Sequence, residues 1–198
     1  LGRVQEGDAV ARSAFDVGYD SLSGFQEAFR RYFGEPPTRL DDATVAWVDR
    51  ITTPLGPLLA AAADGRLCLL EFVDRRMLPR QVERIRKRLN VVFAPGRNEI
   101  IDQTADQLAQ YFSGDRTDFD LPLEPSGSAF QRAVWDQLLA IPSGETRSYA
   151  DVADAVGRPN AVRAVGTANG ANALAIVIPC NRVIGADGSL TGYGGGLW

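Results

Sequence analysis

The pentapeptide Pro179-Cys180-Asn181-Arg182-Val183 holds the residue best suited to chemistry in this chain. Cys180 follows the apolar run Ile176-Val177-Ile178, which reads as an extended segment, and precedes a glycine-dense stretch from Gly188 to Gly196. A thiol between an extended run and a loop is placed as a nucleophile would be. The base that usually accompanies such a thiol is missing, because the 198 residues contain no histidine. Ser-His-Asp and Cys-His hydrolase chemistry is thereby excluded. Cys68 and Cys180 are the only two cysteines, too few for a disulfide framework or a cysteine-rich zinc site. Neither a metal nor any other cofactor is expected.

The elements that must position Cys180 lie upstream. Ser128-Ala129-Phe130-Gln131 has the spacing of a capping box and opens an apolar helix that runs to about Ile141. A second helix is predicted over 148–156, ended by Gly157 and Pro159. Asn160 is placed to cap a third, over about 161–170. Together the last two read as a helix-turn-helix. On the third helix Ala161, Ala164, Gly166, Ala168 and Gly170 are all small, and Arg163 is the one long basic side chain. A face of that kind suits tight helix packing or close approach to a DNA groove.

Residues 41–122 read as a small α+β unit. An acidic linker over 41–50 leads through Trp47 into two strand-like runs, 58–63 and 66–72, joined by Asp64-Gly65. That dipeptide is a strong hairpin signal. A basic amphipathic helix over 79–89, a short strand at 91–93 and a helix over 99–112 closed by Gly114 follow. Cys68, inside the second hairpin strand, reads as a core filler. Residues 8–34 read as another helix-turn-helix, with Gly18 in its turn, a capping box at Ser23 and Gln26, and Pro36-Pro37 after its end.

Charge argues against a broad nucleic-acid surface. The net charge is −4 and the acids and bases are spread evenly along the chain. Any DNA contact must come from local placement of arginines and backbone amides. No apolar run approaches the ~20 residues of a membrane span. Leu1 is no initiator methionine and its surroundings carry no signal-peptide pattern, so the chain is expected to be a fragment at its start and, ending abruptly at Trp198, at its end.

Taken together, Tyr149, Arg163, Asn172, Pro179-Cys180-Asn181-Arg182-Val183 and Thr191-Gly192-Tyr193-Gly194-Gly195-Gly196-Leu197 resemble the O6-alkylguanine-DNA alkyltransferases, over roughly 47–198. The upstream Ala14-Phe15-Asp16-Val17-Gly18-Tyr19, with Phe25 and Phe29 to Gly34, is similar to the second helix-turn-helix of AraC-type regulators. That order of parts resembles the bacterial Ada proteins.

The resemblance implies an α+β fold: a small three-stranded α/β unit, then a helical, winged-helix-like domain with the helix-turn-helix and the active cysteine. It implies direct repair of O6-alkylguanine in double-stranded DNA. The base is flipped into a pocket and its alkyl group passes irreversibly to Cys180. Asn172 would order the active-site turn. Tyr149 would meet the flipped base and assist protonation of the leaving guanine. Arg163 would fill the gap left in the duplex. Val183, Tyr193 and Gly194, with Cys180, would line the base pocket through their backbones. Arg182 is expected in a structural ion pair.

Asn181 departs from the family pattern, which has histidine there. Asparagine holds water but takes no proton near neutral pH, so slower transfer is expected. The alternative is a protein that binds alkylated bases and signals damage with little or no transfer. The expected division is a truncated AraC-type segment over 1–40, an α/β unit over 41–122 and a DNA-binding, cysteine-bearing domain over 123–198. A cytoplasmic monomer, coupled to transcriptional regulation through the upstream segment, completes the expectation.

Overall fold

The computed structural model describes residues 44–189. The helix-turn-helix expected within 1–40 lies outside the described residues, as do Tyr193 and Gly194. The chain divides into two compact units, one reaching Arg116 and including 120–124, the other formed by 117–119 and the chain from Pro125 onward.

The first unit is built on a four-stranded sheet. β1 (Thr44–Thr53), β2 (Gly56–Ala63), β3 (Arg66–Phe72) and β4 (Val91–Pro95) lie in the order β3-β2-β1-β4. β1 and β2 pair antiparallel, as do β2 and β3, while β4 joins β1 in parallel. Asp64 and Gly65 turn the hairpin at φ 48° and 71°, the left-handed pair that matches strand twist.

Two expectations are corrected here. The stretch read as an acidic linker contains the start of β1, and the sheet has four strands where three were expected. The acids at 41, 42 and 49 hid a strand whose Ala46, Val48 and Ile51 face the core. Asp49 itself is buried, its charge met by Arg97 at 3.0 Å.

α1 (Leu78–Leu89) packs on β3 and β4, and α2 (Glu99–Ser113) packs on β1, β2 and β3. Pro79 sits in the first turn of α1, where its missing N–H loses no helix bond. Leu78, Val82 and Ile85 form the buried stripe of α1. Cys68 is fully buried in β3, and its thiol donates to the carbonyl of Ala61 at 3.3 Å. Burial pushes that thiol up to about 12, which makes it a packing residue.

The second unit is helical. α3 (Ala129–Leu139) starts at a complete capping box of Ser128 and Gln131. β5 (Arg147–Ser148) leads directly into α4 (Tyr149–Ala155), which Ser148 and Asp151 cap reciprocally. A 3₁₀ turn at Pro159–Ala161 precedes α5 (Val162–Gly170). Asn160 therefore lies inside the 3₁₀ turn, and no side chain caps α5. Pro159 favours that tight entry because its fixed φ suits a first helical turn.

α5 packs against α3 and α4. Trp135 of α3, 1% exposed, donates from Nε1 to the carbonyl of Ala168 at 2.9 Å. That bond fixes the last turn of α5. Gly127 leaves room for the indole, because a Cβ there would lie 2.4 Å from Trp135 Cζ3. Among the described residues no helix is long and apolar enough to cross a membrane.

Candidate active site

Cys180 opens a 3₁₀ turn, Cys180–Arg182, that leads into β6 (Val183–Ile184). β6 pairs in parallel with β5, Arg147 opposite Val183 and Ser148 opposite Ile184. This two-residue ladder ties the segment after Cys180 to the residues just before Tyr149. Sequence separation is large, but the ladder brings the two segments together.

The approach to Cys180 differs from the expected extended run. Residues 175–177 form turns: Val177 N–H donates to the carbonyl of Ala175, Ile178 to Leu174, and Cys180 to Ile178. Ile176 takes φ 69°, the left-handed region. A β-branched residue held there stores about 1–3 kcal/mol of strain. Surrounding hydrogen bonds must hold it.

Asn172 supplies much of that hold. Its side chain is 1% exposed. Nδ2 donates to the carbonyls of Ile178 at 2.9 Å and Leu174 at 3.4 Å, and Oδ1 accepts from the Leu174 N–H at 2.9 Å. One amide thus closes the loop from α5 to the cysteine. Arg182 anchors the other side of the turn. Among the described residues it makes no ion pair, and it donates instead to the Ile141 carbonyl at 2.6 Å. A guanidinium satisfies that buried carbonyl, two residues past the end of α3, as readily as it would a carboxylate.

Tyr149 occupies the first position of α4 and is half-buried. A Cβ on Gly166 would lie 3.8 Å from its ring, so the ring sits over α5. Burial pushes the phenol above its ordinary value of 10; a hydrogen bond with the Asn169 side chain acts against this, and a charge on Cys180 adds to it. The phenol thus keeps its proton through the neutral range and lies close enough to Cys180 to sense its charge.

Val183 is buried at the start of β6, whereas Asn181 and Arg163 are exposed. The geometry therefore brings Cys180, Asn172, Tyr149 and Val183 together within one unit. Asn181 faces outward beside the thiol, and Arg163 stands on the first turn of α5. Asn169 escaped the sequence reading. It is 3% exposed and its Nδ2 donates to the Cys180 carbonyl at 3.2 Å. The available signal was its position in the last turn of α5, three residues before Asn172, which follows the helix end.

A buried thiol in a pinned turn, beside a protonated phenol, can attack a small electrophilic carbon while a donor meets the departing oxygen. Comparison with known proteins agrees with that chemistry. Residues 129–198 match the DNA binding domain of 6-O-methylguanine DNA methyltransferase, and residues 50–125 match its ribonuclease-like domain. The chain belongs to the 6-O-methylguanine DNA methyltransferase family.

A methylated-DNA–protein-cysteine methyltransferase of Mycobacterium tuberculosis is 46% identical over 147 residues, 74% of this chain and 83% of the relative. One from Methanosarcina barkeri is 43% identical over 152 residues, covering 76% and 90%. The crystal structure of the M. tuberculosis O6-methylguanine methyltransferase matches with a TM-score of 0.62 at 44% identity, over 77% of this chain and 86% of that one. A structure of the M. tuberculosis protein in complex with DNA matches with the same TM-score at 43% identity, over 77% and 85%.

Proposed function

We propose that this chain repairs O6-alkylguanine in double-stranded DNA by moving the alkyl group irreversibly onto Sγ of Cys180. The observation that carries this reading is the shared framework of Cys180, Asn172 and Tyr149 in one buried turn-and-helix junction. The Cys180 thiolate attacks the alkyl carbon. The C–S bond forms as the bond from carbon to O6 breaks, and the electron pair leaves with guanine. The leaving base takes up a proton, which the Tyr149 phenol is placed to donate. The thioether is permanent, so each protein acts once.

In this reading Asn172 holds the loop before Cys180 in its strained form. Val183, with Tyr193 and Gly194, lines the base pocket through backbone groups. Arg163, exposed on α5, enters the duplex in place of the flipped base, and α4 and α5 serve as the helix-turn-helix of a winged-helix-like domain. Asn181 puts no imidazole beside the thiol, which slows transfer without abolishing it. Positioning alone supplies much of the rate, and thiols are intrinsically good nucleophiles. That favours transfer over a role limited to sensing damage.

We further read residues 1–40 as an AraC-type segment of an Ada-like arrangement, residues 41–122 as the α/β unit and 123–198 as the DNA-binding and transfer domain. The protein would act as a cytoplasmic monomer, with a link to transcription through its upstream segment. Incubation with a duplex carrying one O6-methylguanine tests the reaction. Plain guanine should appear in equal amount to the protein consumed, and Cys180→Ser should yield none. Catalytic turnover beyond one equivalent, or repair by the serine variant, would refute the proposal.

A further inference from the structure

Acids and bases balance over each large part of the chain but not over every short stretch. Residues 75–88 hold seven of its 21 basic residues and a single acid, Glu83. They lie outside the part that matches a DNA binding domain, and the proposed transfer gives them no role. Glu83 is engaged by Arg86 at 3.3 Å and Lys87 at 3.0 Å. Arg80 and Arg88 form no hydrogen bond or ion pair with other described residues.

Most of these charges share one ordered face. α1 buries Leu78, Val82 and Ile85. Helical spacing puts Arg80, Arg84, Lys87 and Arg88 on the side away from them. Arg80, Lys87 and Arg88 are exposed and Arg84 is half-buried. Arg80, Arg84 and Arg88 follow at four-residue intervals, about 6 Å apart along the axis. Like charges at that spacing oppose one another. Arg84 is held below the ordinary arginine range, first by burial and then by the charges of Arg88 and Arg75. Helix stability does not account for the row. Bases in the last turn suit the negative end of the helix. Arg80 stands in the first turn, where positive charge is unfavourable and no acid offsets it.

The chemistry of the face selects its partner. A membrane surface or a peptide-binding groove would take up the apolar side of a basic helix. On α1 that side already packs on the sheet. What remains is a row of guanidiniums on a fixed support, able to meet a row of phosphates through forked hydrogen bonds. Duplex DNA is the polyanion that the chain itself brings near. Residues 129–198 match a DNA binding domain, and a tether raises the local concentration of whatever that domain holds.

We propose that the outward face of α1, formed by Arg80, Arg84, Lys87 and Arg88, is a DNA-contact surface outside the DNA binding domain, which holds the phosphate backbone of a duplex without regard to sequence or damage. It adds affinity and salt dependence to DNA binding and takes no part in the chemistry at Cys180. The inference concerns undamaged duplex, so it stands or falls separately from alkyl transfer.

The test measures binding of the full chain to an undamaged duplex by fluorescence anisotropy across a range of salt concentrations. Each phosphate contact removed lowers the slope of log Kd against log salt by about 0.9. The triple variant Arg80→Gln, Lys87→Gln, Arg88→Gln should lower the slope by about 2–3 and weaken binding about tenfold or more at low salt. Arg80→Gln and Arg88→Gln alone should each lower it by about 1. Arg66→Gln combined with Arg116→Gln removes charge from the same unit outside α1 and should leave the slope unchanged. Reaction of Cys180 with a thiol reagent should stay within about twofold of the parent in every variant.

A slope and affinity unmoved by the triple variant would overturn the proposal. So would an equal loss in the Arg66 and Arg116 control, which would reduce the effect to net charge. An α1-dependent affinity for polyglutamate with none for the duplex would overturn it as well, in favour of an acidic protein partner. If the triple variant unfolds, the two single variants decide.

Discussion

Asn172 donates its side-chain amide to the carbonyl of Ile178, 2.9 Å away and two residues before Cys180. Through this bond the end of α5 dictates where the thiol stands. The same side chain accepts from Leu174 N–H, so the loop is held at both ends while Ile176 sits in a left-handed conformation between them.

Replacing Asn172 by alanine removes these bonds and leaves buried backbone groups unmatched. Asn172→Ala is expected to lower stability by about 2–4 kcal/mol. It should also release the strained turn, so Cys180 reacts more slowly with the alkylated duplex even where the protein is folded. Urea unfolding checks the first effect and single-turnover transfer the second. Unchanged values of both would contradict the part given to Asn172.

Tyr149 gives a prediction in pH. Burial raises its phenol above 10, so the proton-bearing form persists through neutral and mildly alkaline solution. Its contribution is present below pH ~10 and lost as pH rises through the raised value. Tyr149→Phe should slow transfer by about a hundredfold and abolish that alkaline decline. A rate for the phenylalanine variant equal to that of the parent at every pH would remove Tyr149 from the reaction.

The exposed Asn181 sets the slope at lower pH. With no histidine in the chain, no imidazole draws the proton from Cys180, so transfer should climb as pH rises above neutral. Asn181→His should flatten that climb and raise the neutral rate about tenfold or more. A parent profile already flat across this range would mean that another group activates the thiol.

The two cysteines should behave differently toward an alkylating thiol reagent. Cys68 is fully buried in β3 and its thiol is pushed up to about 12. Native protein near neutral pH should take one label, on Cys180, and a second only on unfolding. Peptide mapping reads the outcome.

Local signals were legible where a single residue pair determines the backbone. Asp64-Gly65 specified the hairpin, and Ser128 with Gln131 specified the start of α3. β1 was not legible, because the charge of its buried Asp49 is met by Arg97, which is 48 residues away. The apolar string before Cys180 suggested an extended run. Its turns follow from the side-chain hydrogen bonds of Asn172, six residues before Ile178, which hydrophobicity does not encode. Cys180 stood out by its residue type and setting, and Tyr149 and Asn172 through the family resemblance, while Asn169 was hidden among the small residues of α5 and became visible only through the carbonyl it meets.

The central claim is that Cys180 accepts the alkyl group. Intact-mass measurement after incubation with an O6-methylguanine duplex tests it most directly, followed by peptide sequencing. The account predicts a protein heavier by one CH₂ unit, with the added mass on Cys180 and none on Cys68. An unchanged mass at full occupancy of the duplex, or methyl on any other residue, would contradict it.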